Sequence, residues 1–283
     1  MIPKTIFSYW HDSKNIPEIV KLCIKSWKHF NPDFEIKIYN KEKMFKEELS
    51  NLNEKFLMII NKLSIQAQAD FYRLFLLEKY GGIWMDSSII MYDKIKDIDF
   101  NSTNIYGFSY PGNAKLLENW FFACPKNHKF INLWKKEFTY AIIIGFNKYK
   151  LYFKSFICLL KKNKINNSIA NNFLKKLPYL TQHACFIILK LEIMIGKILL
   201  LFNHNILLKP SELGPYKFLY SNNWNSRKAC KNLFEKNYFL KQKRQLGYFC
   251  IKLRSRERSL IEGFLKKKNI FIEKGSIIDL IKK

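Results

Sequence analysis

Asp70 and Arg73 stand three residues apart, and the triplet Asp86-Ser87-Ser88 follows after an apolar run and a glycine pair. Residues three apart share one helix face, so a carboxylate and a guanidinium lie side by side on the first segment. Gly81-Gly82 interrupt that helical pattern, and two glycines permit a turn tight enough to fold the next segment back beside it. Ile83-Trp84-Met85 then reads as a strand that ends on Asp86. A carboxylate at the end of a buried strand is costly unless it is paired or coordinates a metal. In open α/β sheets the carboxyl ends of the strands are also where ligands gather. Two carboxylates and a guanidinium therefore converge, and Asp86 is a candidate for function rather than packing.

The elements that must position this cluster are legible on both sides of it. Thr5 to Tyr9 reads as a strand, and Pro17 to His29 as a helix with Ile19, Leu22, Cys23 and Trp27 at helical spacing. Pro17 suits a first turn, Asn31-Pro32-Asp33 ends the helix, and Glu35 to Tyr39 alternates as a second strand. This βαβ opening predicts a doubly wound sheet with Ser8, Tyr9, Trp10 and His11 at the ligand edge. Residues 41 to 60 read as helical, and Ser64 to Tyr80 as the helix that carries Asp70 and Arg73. Ile89 to Tyr92 is expected to continue the sheet, with Asp93, Asp97 and Asp99 in a solvent-facing loop. Ile105 to Tyr110 and Trp120 to Cys124 are further strands, and Phe130 to Phe146 returns to a helical pattern. From about residue 147 the chain reads as helical and basic, with a Lys- and Asn-rich loop at Asn163 to Asn172.

Ala69-Asp70-x-x-Arg73, an apolar run, Tyr80-Gly81-Gly82-Ile83-Trp84 and an Asp-centred triplet together resemble the sugar-binding region of glycosyltransferase family 32 and the related bacterial capsular polysaccharide synthesis proteins. The opening Ile2 to Trp10 resembles that family's first strand, and Pro17 to Trp27 with Asn31 to Glu35 its first helix and second strand. The resemblance covers roughly the first 95 residues. It implies a GT-A-like, Rossmann-like α/β fold, a mixed sheet flanked by helices, that binds a nucleotide sugar. It also implies a retaining transferase that moves a hexosyl unit, with a uridine diphosphate sugar as donor, onto a growing capsule or lipooligosaccharide chain. In this reading Asp86, Arg73 and Asp70 are the catalytic residues. Ser8, Tyr9, Trp10, Asp70, Arg73, Gly81, Gly82, Trp84 and Ser88 bind the donor, with Tyr9 or Trp10 stacking on the base. The family's Asp-x-Asp motif holds a divalent cation; here Ser88 replaces the second carboxylate. Asp86, with His183 from the Pro178 to His183 patch, is then the expected ligand set for Mn2+ or Mg2+, which commonly keep waters. Pro125-Lys126-Asn127-His128 resembles the segment that closes the acceptor side, and His204 is a weaker candidate than His183.

The chain has 283 residues, 48% of them hydrophobic, and a formal charge of +26, enough to bury a sizeable core. Residues 1–140 hold 20 Lys and Arg against 16 Asp and Glu, whereas residues 141–283 hold 29 against 7, so +22 of the +26 lies in the second half. We expect a nucleotide-sugar-binding core over residues 1–146 and a mainly helical basic region over 147–283 for acceptor or membrane contact. A field of that sign draws a protein to nucleic acid or to an anionic membrane face. Basic residues interleaved with Phe, Tyr and Leu suit a headgroup layer, so the expected partners are an anionic membrane surface and a lipid-linked or oligosaccharide acceptor, without nucleic acid. Lys252-Leu253-Arg254-Ser255-Arg256-Glu257-Arg258 alternates three arginines, which on an extended segment would share a face and grip phosphate. The six cysteines are scattered with no Cys-x-x-Cys, and Met1-Ile2-Pro3-Lys4 runs directly into a strand. This suggests a cytosolic protein with reduced thiols at the inner membrane face. Lys190, Glu192 and Lys197 interrupt the apolar run at 184–202, which falls short of a spanning helix. The competing readings are a basic nucleic-acid-binding protein and a non-catalytic scaffold of a glycan-assembly complex.

Overall fold

Strand β1 (Thr5–Tyr9) lies between two parallel neighbours, β2 (Glu35–Tyr39) and β3 (Gly82–Met85), in this computed structural model. The structure describes residues 1–96, 98–162, 177, 179–194, 206–238, 249–267 and 271–282. Beyond β3 the sheet turns antiparallel through β6 (Asn113–Cys124) and β5 (Ile105–Tyr110), and β7 (Ile206–Pro210) closes the far edge parallel to β5. The result is a six-stranded mixed sheet in the order β2-β1-β3-β6-β5-β7. Parallel strands need covered faces, and the residue pattern supplies them. Phe7, Trp84 and Phe122 point into one core, while Ile6, Ile83, Met85 and Phe121 point into the other.

Helices fill both layers. One face is covered by α4 (Ile65–Tyr80), α5 (Lys129–Ile144), α6 (Phe146–Lys162) and α7 (Thr181–Met194), whose Phe71, Trp134, Tyr149 and Phe186 are almost fully buried. The other face carries α1 (Glu18–Phe30), α9 (Ser226–Asn232), α10 (Ser255–Lys266) and α11 (Ile277–Lys282). Helix α1 buries Ile19, Val20, Leu22, Cys23 and Trp27, and keeps Glu18 in its first turn and Lys28 in its last, the placement that its dipole favours. Helix α4 starts where the Ser64 side chain accepts from the amide of Ala67, and stops at Gly81 with φ +70°.

Several expectations are corrected. Residues 41–60 are not one helix: α2 (Lys41–Lys43) widens into a π-helical stretch at Met44–Leu49, and α3 (Glu54–Lys62) restarts on an Asn53 cap. Ile89–Met91 (β4) does not continue the main sheet; it leaves after Asp86 and pairs antiparallel with β8 (Cys250–Lys252). Elements from both sides of residues 146/147 share one sheet and core among the described residues: β7 joins the main sheet, α7 packs into its core, and β8 pairs with β4. Among the described residues the second half is still mostly helical, including the short α8 (Lys217–Tyr220). The loop expected at Asn163 to Asn172, Asp97, Pro178 and His204 lie outside the described residues. No helix among the described residues is long and apolar enough to cross a membrane. The cysteines are unpaired, and all but Cys158 are buried.

Candidate active site

Helix α4 and strand β3 meet as their sequence requires. The guanidinium of Arg73, 3% exposed, donates through Nη1 to Asp70 one turn earlier and through Nη2 to Asp86 Oδ1 at 3.1 Å. Trp84 lies beneath, its ring 5.2 Å from the guanidinium carbon and its Nε1 donating to the same Asp86 oxygen at 3.0 Å. The backbone amide of Asp86 is tied to Trp120 O on β6, which fixes the carboxylate at the carboxyl edge of β3.

Two further layers hold the cluster. Gln182, fully buried near the start of α7, accepts at Oε1 from Arg73 Nη1 at 2.7 Å and from Asn119 Nδ2 at 2.8 Å, and donates to the backbone oxygen of Asp70 at 2.9 Å. Asn119 also donates to Asp70 Oδ1. On the other side β8 delivers Lys252, whose ammonium donates to Asp86 Oδ2 at 2.6 Å and to Ser88 Oγ at 3.0 Å. Both oxygens of Asp86 are thus engaged by cations, and the first and third residues of the triplet are both engaged by Lys252.

The electrostatics follow from these contacts. Burial pushes the Asp70 carboxyl above its ordinary range, with Arg73 opposing and Asp86 adding to the rise. Burial also acts to raise Asp86, but the charges of Lys252 and Arg73 and the bonds from Lys252 and Trp84 outweigh it and hold that carboxyl low. Lys252 is depressed by burial, against the pull of Asp86. Asp86 is therefore the firm anion of the pair.

A cleft of about 830 Å3 opens over the cluster, at the carboxyl ends of β1 and β3. Asp70, Arg73, Trp84, Asp86, Ser88, Tyr9, Trp10 and His183 all line it, so most of the expected site residues are brought together. Trp10 is partly exposed and has Arg258 stacked on its ring at 5.5 Å. Tyr9 instead packs edge-on to Tyr72 and donates to Gln68, so it forms wall rather than platform. Tyr179 and Trp224, which are exposed, stand on the rim.

Three expected donor-binding residues are elsewhere. Ser8 is fully buried and does not line the cleft. Gly81 and Gly82 sit at the opposite end of β3, where a Cβ on Gly81 would lie 2.4 Å from Lys126 N and one on Gly82 2.6 Å from Thr5 O. Their close approach is to the protein's own backbone. The same packing places Pro125 and Lys126 away from the cleft, and His128 serves as the cap of α5. The three arginines do not share an extended face. Arg254 caps α10 and is bound by buried Glu257, Arg256 is exposed, and Arg258 faces the cleft.

The expected metal ligands do not form a set. His183 Nε2 lies 3.9 Å from Glu118 Oε2, while the oxygens of Asp86 are committed to Arg73, Trp84 and Lys252. No group of three or more His, Cys, Asp or Glu among the described residues is placed to hold a metal ion. A hard cation needs several oxygen ligands, and an ammonium already bridges the Asp86 and Ser88 oxygens, so the residues present do not fit one.

Glu118, Asn119 and Gln182 were not expected, although each carries a signal, and Lys252 was expected only as the first residue of the basic patch Lys252 to Arg258. Glu118-Asn119 is a polar pair inside the apolar strand Leu116 to Ala123. Gln182 adjoins His183, and Lys252 is a lone cation in Phe249 to Leu253.

A family model described as capsular polysaccharide synthesis protein matches residues 1–192. No curated protein matches the chain. Among solved structures, the chain is similar to the ligand-free glycosyltransferase domain of the YGT toxin, at 10% identity and TM-score 0.47, covering 93% of this chain and 90% of that one. It is also similar to the PaToxG glycosyltransferase, at 19% identity and TM-score 0.42, covering 70% and 78% respectively. A third is a glycosyltransferase involved in glycosylation of the major capsid of PBCV-1, at 11% identity and TM-score 0.41, covering 92% and 98%.

Proposed function

This chain belongs to the capsular polysaccharide synthesis protein family, and from that membership and the cleft we propose that it is a retaining, GT-A-type glycosyltransferase. It moves a hexosyl unit from a nucleotide sugar onto a growing cell-surface saccharide, with a uridine diphosphate sugar as the first donor to test. The observation that carries the reading is the convergence of Asp70, Arg73, Asp86 and Lys252 at the carboxyl edge of parallel strands, the edge where such sheets bind ligands.

The difficult step is departure of the nucleoside diphosphate. As the bond from the anomeric carbon to the phosphate oxygen breaks, the electron pair stays on that oxygen and must be stabilised by fixed positive charge. The acceptor hydroxyl forms the new bond on the same face, and its proton passes to the departing phosphate oxygen. Asp70 Oδ1 is engaged by Arg73 and Asn119, which leaves Oδ2 to accept from a sugar hydroxyl. Arg73 orients both carboxylates. The exposed aromatics Tyr179 and Trp224 supply apolar faces for an acceptor sugar. The basic second half holds the enzyme at an anionic membrane that carries lipid-linked acceptors.

Release of nucleoside diphosphate from a panel of nucleotide sugars tests the activity. Asp86→Ala and Arg73→Ala are expected to abolish it with the fold retained; undiminished turnover in both would remove this site. Retention is read from the anomeric configuration of the product by NMR. Salt-sensitive partitioning to anionic vesicles, absent with neutral ones, is the expected membrane behaviour.

A further inference from the structure

We propose that the Lys252 ammonium takes the place of a divalent cation under the donor diphosphate, and that protein cations alone, Lys252 with Arg258, neutralise the leaving group. This rests on the donor reading above. The first and third residues of the triplet, Asp86 and Ser88, both direct side-chain oxygens at one atom, Lys252 Nζ, at 2.6 and 3.0 Å. An ammonium has three N–H donors. Two are accounted for, and the third has no acceptor among the described residues. Lys252 is 7% exposed yet lines the cleft, with its charge 5.8 Å from the Trp120 ring, so it is held in place rather than free to swing.

Arg258 supplies the second charge. The other cleft cations have carboxylate partners: Arg73 has Asp70, Lys252 has Asp86 and Arg254 has Glu257. Arg258 has no carboxylate partner among the described residues, its Nε is buried without a hydrogen-bond acceptor, and its guanidinium is fixed over Trp10. It is near enough to Lys252 to make that lysine a weaker base. Two cations brought together at this cost, one of them without a counter-ion, are arranged for an anion that arrives with the substrate. A planar guanidinium and a compact ammonium suit adjacent phosphate oxygens. The pair also explains why the triplet needs no second carboxylate: Asp86 already pairs Lys252, and an acid at position 88 would add a negative charge where the diphosphate is to sit.

Calorimetric titration of UDP into the full chain, in EDTA and in Mn2+, tests this. Wild type is expected to bind equally in both within about twofold. Lys252→Met and Arg258→Met should each lose on the order of 10- to 100-fold in EDTA, the usual effect of one charge-assisted hydrogen bond, and Lys252→Arg should recover part of the loss. If Lys252→Met does not fold, Arg258→Met, on a partly exposed residue, gives the same reading. Binding of UDP that appears only with Mn2+, or wild-type affinity in both Met variants, overturns the proposal while leaving a metal-dependent transferase standing. A tight Mn2+ site detected by electron paramagnetic resonance in wild type and lost in Asp86→Asn overturns it as well. No binding of UDP, GDP, ADP or dTDP under either condition refutes the donor reading itself.

Discussion

Replacing Arg73 by Met strands one carboxylate and spares another, which makes its effect on stability strongly pH-dependent. Asp86 keeps Lys252 at 2.6 Å and Trp84 at 3.0 Å. Asp70 keeps only Asn119 at 3.2 Å. Removing one partner of a buried ion pair typically costs about 3–5 kcal/mol, and here the burden falls on Asp70, already raised by burial and held down by Arg73. Without Arg73 its folded-state pKa rises further above the unfolded value of about 4. A raised folded carboxyl binds more protons folded than unfolded, so stability falls as pH rises through that range and returns on acidification. For one carboxyl the return is at most about 2.7 kcal/mol between pH 7.5 and pH 5.5. Urea denaturation of wild type and Arg73→Met at both pH values is the assay. The gap between them should be about 3–5 kcal/mol at pH 7.5 and narrow by about 1–2.5 kcal/mol at pH 5.5. Adding Asp70→Asn to Arg73→Met should recover a comparable amount at pH 7.5. A loss below about 1 kcal/mol, or one unchanged by pH and by Asp70→Asn, refutes the reasoning.

Other outcomes follow from the same contacts. Gly81→Ala places a Cβ 2.4 Å from Lys126 N at φ +70° and should cost about 2–4 kcal/mol in thermal or urea unfolding, while UDP affinity of the folded fraction stays unchanged. Buried Glu257 accepts from Arg254 at three donors, so Glu257→Gln should lose about 2–3 kcal/mol at pH 7. Burial acts to raise that carboxyl, but the bonds from Arg254 and Ser226 hold it low. Its contribution is therefore complete above about pH 4.3 and lost as pH falls through the folded value, so the two proteins should converge in acid. Because Lys252 is depressed by burial, UDP affinity should fall on alkalinisation at a lower pH than an ordinary lysine allows, and Lys252→Arg should abolish that decline.

Local pattern made the first half of the sheet readable. Strands β1 and β2, helix α1 and the Asp70-Arg73 face depend on spacing within one element, and α4 carries a Ser64 cap at one end and Gly81 at the other. The Ile89 segment was misplaced because β4 pairs with β8 across more than 150 residues, and no local spacing encodes that choice. The glycine pair, expected from the resemblance to bind the donor, instead makes room for the backbone of Lys126 and Thr5; sequence shows that space is needed but not what occupies it. Gln182 escaped, and Lys252 was legible only as part of a basic patch, for a related reason. A single polar residue in an apolar element acquires meaning only from its partners, and those partners come from α4, β3 and β6.

The pairing of β4 with β8 also sets an order of assembly. Asp86 and Lys252 are separated by 166 positions, and the loop between them must close before the two charges meet. A ribosome-bound chain can finish β1 to β6 and join Asp86 to Arg73 well before residue 252 emerges. Until then Asp86 Oδ2 has no ammonium partner. On the role proposed for Lys252, a chain stopped or clipped before that residue keeps the Asp86-Arg73 pair but lacks the cation meant for the donor diphosphate.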